Sequence, residues 1–389
     1  MTSEWEAARR AAWEAGRRTI RGAETRPLEA AAGRTLAAAL VAPVDVPGCD
    51  TSAMDGWAVA GAPPWRVGDA IPVGSAPDPR PLVSGTARPI ATGAPVPPGA
   101  GILRREHGEE RDGRLTPRTG TAAPAAGKDV RPAGSDVAAG EVVLPAGSRL
   151  TPPALALAAI CGMDELEVRV PPRVLLLVVG EEIEVSGVPS PGRVRDAYGP
   201  QLPGVLAALG AGEVDVRHLG GDADQLLAEL GVSDADLVVT TGGTSQGPTD
   251  HVRAAAASRG WSAVVDGVAM RPGHPVLLAI GPSGRPLLAL PGNPFAAMVA
   301  LLSLGVPLLD GMLGRRTPSP VPAPAAVELE NPGRGVRVLA CRRSADGVVP
   351  LPQQGPATLR GLAEADVLAL VPIGGTRAGA PVPVLSLPW

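Results

Sequence analysis

Residues 236–251 read Asp-Leu-Val-Val-Thr-Thr-Gly-Gly-Thr-Ser-Gln-Gly-Pro-Thr-Asp-His. The run from Asp236 to Thr240 predicts a short buried strand, and the alanine-rich residues after His251 predict a helix. The loop between them combines glycines with hydroxyl side chains, so it can present backbone N–H groups to an anion where the helix begins. The stretch therefore predicts a strand–loop–helix unit that holds a phosphate.

Asp250 closes this loop with a carboxylate, which a phosphate repels unless a cation lies between them. Mg²⁺ prefers hard oxygen ligands and commonly bridges a carboxylate to a phosphate, so phosphate together with Mg²⁺ explains the loop. A tight turn in which Asp250 caps the helix explains the same residues. The loop alone leaves both interpretations open.

The residues on either side of the loop alternate between apolar strands and helices. This alternation is typical of a doubly wound, mostly parallel sheet, whose ligands lie at the carboxyl ends of the strands. The expected strands are Val174–Val179, Val214–His218, Leu237–Thr240, Ala263–Met270 and Pro286–Leu290, and the expected helices are Pro203–Leu209, Ala223–Glu229 and a buried helix at Phe295–Leu309.

The remainder of the chain predicts smaller units. Helical spacing over residues 3–21 and alanine-rich composition from Leu28 to Val41 predict two N-terminal helices. Dense Pro and Gly between Pro43 and Gly127 predict an inserted β-rich domain. We therefore predict a discontinuous N-terminal or linker domain (1–43 and 128–170), the inserted domain (44–127), an α/β domain (171–317) and a small C-terminal β domain (318–389).

Composition narrows the class of protein. A chain of 389 residues exceeds one ordinary core, and its single Tyr and single Phe leave Ala, Val and Leu to build the cores. The net charge of −4 gives no reason to expect nucleic acid, and three scattered cysteines suggest free thiols in a reducing compartment. The longest apolar run is too short for a bilayer, so we expect a cytoplasmic, soluble protein with no membrane partner.

Three loops are expected at one edge of the predicted sheet: Gly180–Glu182, the loop from Thr241 to Asp250, and Leu290–Pro294. In the third, Pro294 suits the first turn of a helix and Asn293 its cap. Neither the dinucleotide nor the P-loop fingerprint is present, which argues against a dehydrogenase or a P-loop kinase. A metal could be surrounded by four carboxylates, Glu182, Asp196, Asp222 and Asp250. An anionic ligand could face Arg271 and His274. The alternative for each of these residues is an ordinary position in a loop or turn.

Several motifs, in this order, resemble the molybdopterin molybdenumtransferase family, the MoeA and gephyrin E-domain type. The motifs extend over roughly residues 44–310, and the first and last are specific to the family. They are Ser52-Ala-Met-Asp-Gly-Trp-Ala58, Thr92-Gly-Ala-Pro-Val-Pro97, Arg195-Asp196, Thr241-Gly-Gly-Thr-Ser245 with Asp250, and Leu290-Pro-Gly-Asn-Pro294.

The resemblance implies a homodimer whose active site lies between the doubly wound domain of one subunit and domains of the other. It implies that adenylylated molybdopterin and molybdate are substrates, that Mg²⁺ assists, that AMP is released, and that other proteins of molybdenum cofactor biosynthesis are possible partners. The implied catalytic residues are Asp55, Asp222, Asp250 and Arg271, and the implied metal ligands are Glu182 and Asp250. The implied substrate-binding residues are Thr92, Asp196, Thr241, Gly242, Gly243, Thr244, Ser245, His274, Pro291, Gly292, Asn293 and Pro294.

The chain departs from the family pattern at several positions. Arg271-Pro-Gly-His274 replaces a Lys-Pro-Gly-Lys run, Gly267 replaces a further lysine, and Asp196-Ala-Tyr198 replaces Asp-Ser-Asn. The segment Gln354–Arg360 lacks the serines that the family has there. An alternative is therefore a catalytically weakened paralogue that binds the pterin or acts as a scaffold. A hydrolase of pyridine nucleotides with a similar loop is a third reading, against which the first and last motifs argue.

Overall fold

The structure is a computed structural model that describes residues 4–220, 223–242 and 251–389. Its N-terminal part begins with helix α1, continues through short strands, and contains a six-stranded sheet in the order β7-β4-β6-β5-β9-β8. The elements are α1 (Glu4–Arg17), β1 (Ala23–Pro27), β2 (Leu40–Val41), β3 (Thr51–Ser52), β4 (Gly56–Ala60), β5 (Trp65–Val67), β6 (Thr86–Ile90), β7 (Gly101–Arg104), β8 (Gly108–Arg111), β9 (Arg114–Pro117), β10 (Val130–Arg131), β11 (Val142–Leu144), α2 (Pro152–Ile160) and β12 (Glu165–Arg169).

The predicted helix from Leu28 to Val41 is wrong. Only a single 3₁₀ turn, Leu28–Ala30, follows β1, and β2 occupies residues 40–41. Gly33 adopts a left-handed backbone (φ +74°), and the N–H of Leu36 donates to the carbonyl of Ser148 (2.9 Å). Pairing of β1 with β12 and of β2 with β11 therefore overrides the local helical preference of an alanine-rich run.

The central part of the chain forms the predicted mostly parallel sheet, in the order β16-β13-β17-β21-β20-β18. The first four strands run parallel, and β20 runs antiparallel to both of its neighbours. The elements are β13 (Val174–Val179), β14 (Ile183–Glu184), β15 (Val194–Arg195), α3 (Tyr198–Ala208), β16 (Val214–Leu219), α4 (Ala223–Val232), β17 (Leu237–Thr241), α5 (His251–Ser258), β18 (Ser262–Asp266), β19 (Met270–Arg271), β20 (Leu277–Ile280), β21 (Pro286–Leu290), α6 (Pro294–Ala300) and α7 (Val306–Met312).

Both faces of this sheet are covered, as the continuous apolar strands predict. On one face Leu176 packs in a core with residues of α1, α3, α6 and α7, and on the other Leu177 packs against α4 and α5. The expected strand Ala263–Met270 is instead two strands, because Gly267 turns the chain with φ +78°. The doubly wound fold class is confirmed.

A π-helical turn, Leu301–Gly305, joins α6 and α7 into one helix of 19 residues, Pro294–Met312. This helix is long and apolar enough to cross a membrane, but 94% of its most apolar window is buried inside the protein. Its apolar character is thus explained by its place in the core.

Helix α1 supports the π turn. The buried guanidinium of Arg9 donates to the carbonyls of Leu302 (3.2 Å) and Ser303 (3.0 Å), and the indole N–H of Trp5 donates to the Ser303 hydroxyl (3.1 Å). Burial lowers the pKa of Arg9 to about 10, against the opposing effect of Asp310. These bonds satisfy carbonyl groups where the regular helical pattern is interrupted.

The C-terminal part forms a second mixed sheet in the order β19-β23-β25-β26-β22, with β24 paired to β23. Its own elements are β22 (Val321–Pro324), β23 (Val336–Ser344), β24 (Gly347–Pro350), α8 (Arg360–Ala363), β25 (Val367–Val371) and β26 (Pro381–Ser386). The predicted four-domain division stays a prediction. Strands β1 and β2, which precede the β-rich sheet in sequence, pair with β12 and β11, which follow it.

Candidate active site

Three strand-to-loop junctions meet at the carboxyl ends of the parallel strands. The N–H of Gly242, after β17, donates to the carbonyl of Leu290 at the end of β21 (3.1 Å). Gly242 has φ +82°, and a Cβ there would lie 2.6 Å from the carbonyl oxygen of Val179 at the end of β13. Only glycine allows the ends of these three strands to approach one another so closely.

A cleft of about 910 Å³ opens at this edge of the sheet. Loops that follow β13, β17 and β21 all contribute to it, as do the start of α3 and a segment that precedes α8. The lining residues are Val179–Ile183, Val194–Tyr198, Gly242, Val252, Gly292–Pro294, Ala357 and Leu359. Of the candidate site residues, the structure thus brings together Glu182, Asp196, Gly242, Gly292, Asn293 and Pro294. Thr241 and Pro291 are buried beside the cleft.

Asp196 is buried and bonded to the protein itself. Its carboxylate accepts hydrogen bonds from the backbone N–H groups of Tyr198 (2.8 Å) and Gly199 (3.1 Å) in the first turn of α3. It also lies 2.9 Å from Nε2 of His218, at the end of β16. Burial acts to raise the pKa of Asp196, but the bonds from His218 and from the two backbone groups outweigh it, and the pKa falls below its usual range. A carboxylate held in this way caps the helix and forms part of the cleft wall.

Tyr198 joins two walls of the cleft. Its hydroxyl donates to the carbonyl oxygen of Gly292 (2.7 Å). Burial is the main cause that raises the pKa of Tyr198, and the nearby carboxylates of Asp196 and Glu182 raise it further. The sequence marked Tyr198 only as a departure from a motif, and it did not single out His218. The one available signal was that His218 ends the expected strand Val214–His218.

A segment of the C-terminal part closes one side of the cleft. Helix α6 begins at Pro294 with Asn293 at its cap position, as the sequence predicts, but the Asn293 side chain makes no capping hydrogen bond. The carbonyl of Pro356 instead accepts hydrogen bonds from the N–H groups of Phe295 (3.0 Å) and Ala296 (3.2 Å). The N–H groups of Phe295 and Ala296 at the start of α6 therefore have a hydrogen-bond acceptor within the protein.

Asp55 and Thr92 form a separate pair at the β-rich sheet. The backbone N–H and the hydroxyl of Thr92 both donate to Oδ1 of Asp55, at 2.8 and 3.0 Å. These two hydrogen bonds lower the pKa of Asp55, and Arg105 nearby lowers it further. Neither residue lines the cleft. The structure thus joins two of the candidate residues to each other and leaves them outside the cleft formed by the sheet loops.

Comparison with known proteins assigns the chain to a family. Residues 4–162 match the model of the MoeA N-terminal region (domain I and II), and residues 175–311 match the probable molybdopterin binding domain. A molybdopterin molybdenumtransferase of Synechococcus elongatus is 34% identical over 90% of this chain and 90% of its own length. The chain belongs to the molybdopterin molybdenumtransferase family.

Other relatives agree with this assignment. Molybdopterin molybdenumtransferase 2 of Mycobacterium tuberculosis is 38% identical over 67% of this chain and 68% of its own length. The crystal structure of a molybdopterin biosynthesis MoeA protein from Pyrococcus horikoshii superposes with a TM-score of 0.76, at 26% identity, covering 99% of this chain and 98% of that one. The family and the multidomain α/β fold are therefore both established for this chain.

The turn that contains Gly267 and His274 is held by contacts within itself. Nδ1 of His274 lies 2.7 Å from the carbonyl of Val268, and its ring packs beside Gly267. Gly267 is left-handed, so a side chain there would be strained. Arg271 is exposed at the end of β19, which pairs with β23 of the C-terminal sheet, and it does not line the cleft. Nδ1 of His274 thus bonds within its own turn, and its substrate-binding role stays a prediction.

Several candidate residues lie outside the described part of the chain, namely Asp222, Gly243, Thr244, Ser245 and Asp250. Among the residues that are described, no group of three or more His, Cys, Asp or Glu side chains is placed to hold a metal ion. Glu182 is exposed at the mouth of the cleft. A cation held by this chain in the cleft would therefore need further oxygen ligands besides Glu182.

Proposed function

We propose that this protein inserts molybdate into adenylylated molybdopterin with release of AMP, as a molybdopterin molybdenumtransferase in molybdenum cofactor biosynthesis. The observation that carries the proposal is the cleft at the carboxyl ends of β13, β17 and β21, in a chain that belongs to this family. Its volume, about 910 Å³, suits a ligand the size of a pterin nucleotide. The proposed location is the cytoplasm, where other proteins of the same biosynthesis are possible partners.

We propose Mg²⁺ as the cation. Mg²⁺ in such sites is held by one or two carboxylates together with waters and phosphate oxygens of the substrate. Glu182 offers a carboxylate of the right kind, and Asp250 is the second proposed ligand. When bound, the cation would neutralise charge on the phosphate linkage. Arg271 and the residues of the 241–245 loop are proposed to hold the anionic groups of the substrate.

We propose a homodimer because Asp55 and Thr92 lie outside the cleft of their own chain. A symmetric dimer can place this pair at the cleft of the second copy. Mixing two inactive variants tests the arrangement. Asp55→Asn and Glu182→Gln mixed in equal amounts should recover about a quarter of wild-type activity, since about half of the dimers carry one intact shared site. No recovery, or a monomer by light scattering, would exclude the shared site.

The central experiment follows AMP release from adenylylated molybdopterin in the presence of molybdate and Mg²⁺. Wild-type protein should release AMP, chelation of the cation should stop the release, and Asp250→Ala should abolish it. Glu213→Gln, which changes an exposed carboxylate next to β16, serves as the control and should release AMP like the wild type. Tight binding of the pterin nucleotide without AMP would refute the transferase and favour the weakened paralogue. Hydrolysis of free pyridine nucleotides would instead favour the hypothesis of a pyridine-nucleotide hydrolase.

A further inference from the structure

A second cavity, of about 500 Å³, lies between α3 and the C-terminal part of the chain. One wall is formed by a single face of α3 that includes Gln201, Gly204 and Val205, and the opposite wall includes Leu362 of α8 and Trp389. None of the lining side chains carries a charge. A phosphate or a carboxylate would have no partner in this cavity, whereas an uncharged ring would be accommodated.

The cavity lies beside the cleft. Leu359 lines both spaces, and Tyr198, which lines the cleft, lies three residues before Gln201 on the same helix. Three residues of α-helix correspond to a rise of about 4.5 Å. One nucleotide is long enough to have its phosphate in the cleft and its base in the cavity.

Two features of the cavity suit a flat heterocycle. The indole of Trp389 is more than half exposed (58%), so it offers a ring face for stacking. Oε1 of Gln201 is buried and has no hydrogen-bond partner among the described residues. A buried acceptor without a donor is costly, and a ligand amine would remove that cost.

We infer that this cavity binds the adenine base of the adenylylated substrate, an assignment that rests on the proposed function. The ring stacks on Trp389, and the Gln201 side chain turns so that its enclosed Oε1 faces the cavity and accepts a hydrogen bond from the exocyclic amine. A pterin ring carries more donors and acceptors than this apolar cavity can satisfy, so the base fits better. Gln201, Gly204 and Trp389 thereby become determinants of specificity for the nucleotide part of the substrate.

Gly204 provides a way to fill the cavity without disturbing the protein. A Cβ at this position would meet no atom within 4 Å, although Gly204 lies inside α3. Gly204→Leu therefore places a branched side chain in the space proposed for the base. Gly204→Ala is the matched control, because both changes remove a glycine from a helix interior and neither should destabilise α3.

The test measures binding of AMP and of ribose 5-phosphate to the full chain by equilibrium dialysis. Gly204→Leu should weaken AMP binding at least about tenfold, and Trp389→Ala should weaken it about tenfold through lost stacking. Gly204→Ala should bind AMP as the wild type does, and ribose 5-phosphate should bind equally to all four proteins. These results together would support a base site that is separate from the phosphate site.

Two results would overturn the assignment. One is unchanged AMP binding in both Gly204→Leu and Trp389→Ala. The other is weaker binding of a free pterin in Gly204→Leu with AMP unaffected, which would give the cavity to the pterin. Because dialysis involves no chemistry, failure of the base site is distinguishable from failure of the transferase, which is measured by AMP release from the full substrate.

Discussion

The hydroxyl of Tyr198 and the carbonyl oxygen of Gly292 are joined by a hydrogen bond of 2.7 Å across the base of the cleft. Tyr198 begins α3, and Gly292 belongs to the loop between β21 and α6. The bond therefore fixes the distance between two cleft walls that are 94 residues apart in sequence. It connects the orientation of α3 to the Pro-Gly-Asn-Pro loop.

Tyr198→Phe should remove this bond without changing the packing of the ring. The Gly292 carbonyl loses its donor, so the free energy of unfolding should fall by about 1–2 kcal/mol, measured by urea denaturation. Ser75→Ala is the control, since Ser75 donates a comparable bond to the Pro72 carbonyl (2.8 Å), and that bond is exposed. If both variants lose the same stability, the bond across the cleft has no special role.

His218→Ala should shift acid unfolding to higher pH. The pKa of Asp196 in the folded protein is below its usual value, so its contribution to stability is complete above about pH 4 and is lost as the pH falls through the folded pKa. Without His218, burial raises the pKa of Asp196 with less opposition. The stability that the Asp196 carboxylate contributes is then lost at a higher pH. We expect about 1 kcal/mol lower stability at neutral pH.

The control for this prediction is His107→Ala, which changes an exposed histidine on the β-rich part of the chain. His218→Gln should restore part of the stability because its amide can donate to Asp196. An acid transition that coincides in wild type and His218→Ala would contradict the role given to this pair.

Arg9→Ala should be the most destabilising arginine substitution in α1. It leaves the carbonyls of Leu302 and Ser303 without their buried donor. The free energy of unfolding, measured by urea denaturation, should therefore fall by about 2–3 kcal/mol. The neighbouring exposed residue supplies the comparison, and Arg10→Ala should change stability by no more than about 0.5 kcal/mol. Equal effects of the two changes would mean that Arg9 does not support the π turn.

Gly242→Ala should disrupt the junction of the three strands. The new Cβ would lie 2.6 Å from the Val179 carbonyl, so we expect a loss of about 3 kcal/mol and little AMP release. Gly162→Ala has the same φ (+82°) with no atom within 4 Å of its Cβ, and it should cost only the left-handed strain, about 1 kcal/mol. Thermal unfolding of both variants would separate strain from collision, and equal losses would refute the close approach.

The sequence predicts the sheet well where a pattern repeats. Val174–Val179 and Pro286–Leu290 are strands with the expected bounds, because runs of Val and Leu buried on both faces have few other solutions. The expectation that three loops share one edge follows from the parallel order of the strands, and Gly180, Gly242 and Gly292 do line one cleft.

Other features depended on contacts between distant residues. The alanine-rich run after Leu28 resembles a helix locally, but its N–H groups bond to residues near 148–150 instead. The role of Tyr198 depends on Gly292, and the bonding of Asp196 depends on His218. No local pattern identifies such partners. Likewise, the position of Asp55 and Thr92 outside the cleft became visible only in the assembled chain.

The bond between the Pro356 carbonyl and the first N–H groups of α6 has a consequence for biosynthesis of the protein itself. The parallel strands and α6 leave the ribosome before Pro356, Ala357 and Leu359 are translated. Until those residues emerge, α6 has an unsatisfied end and the cleft lacks one wall. Ribosome-bound chains that stop before residue 356 should hence contain a folded sheet without a competent cleft, which ties ligand capture to the translation of residues 356–359.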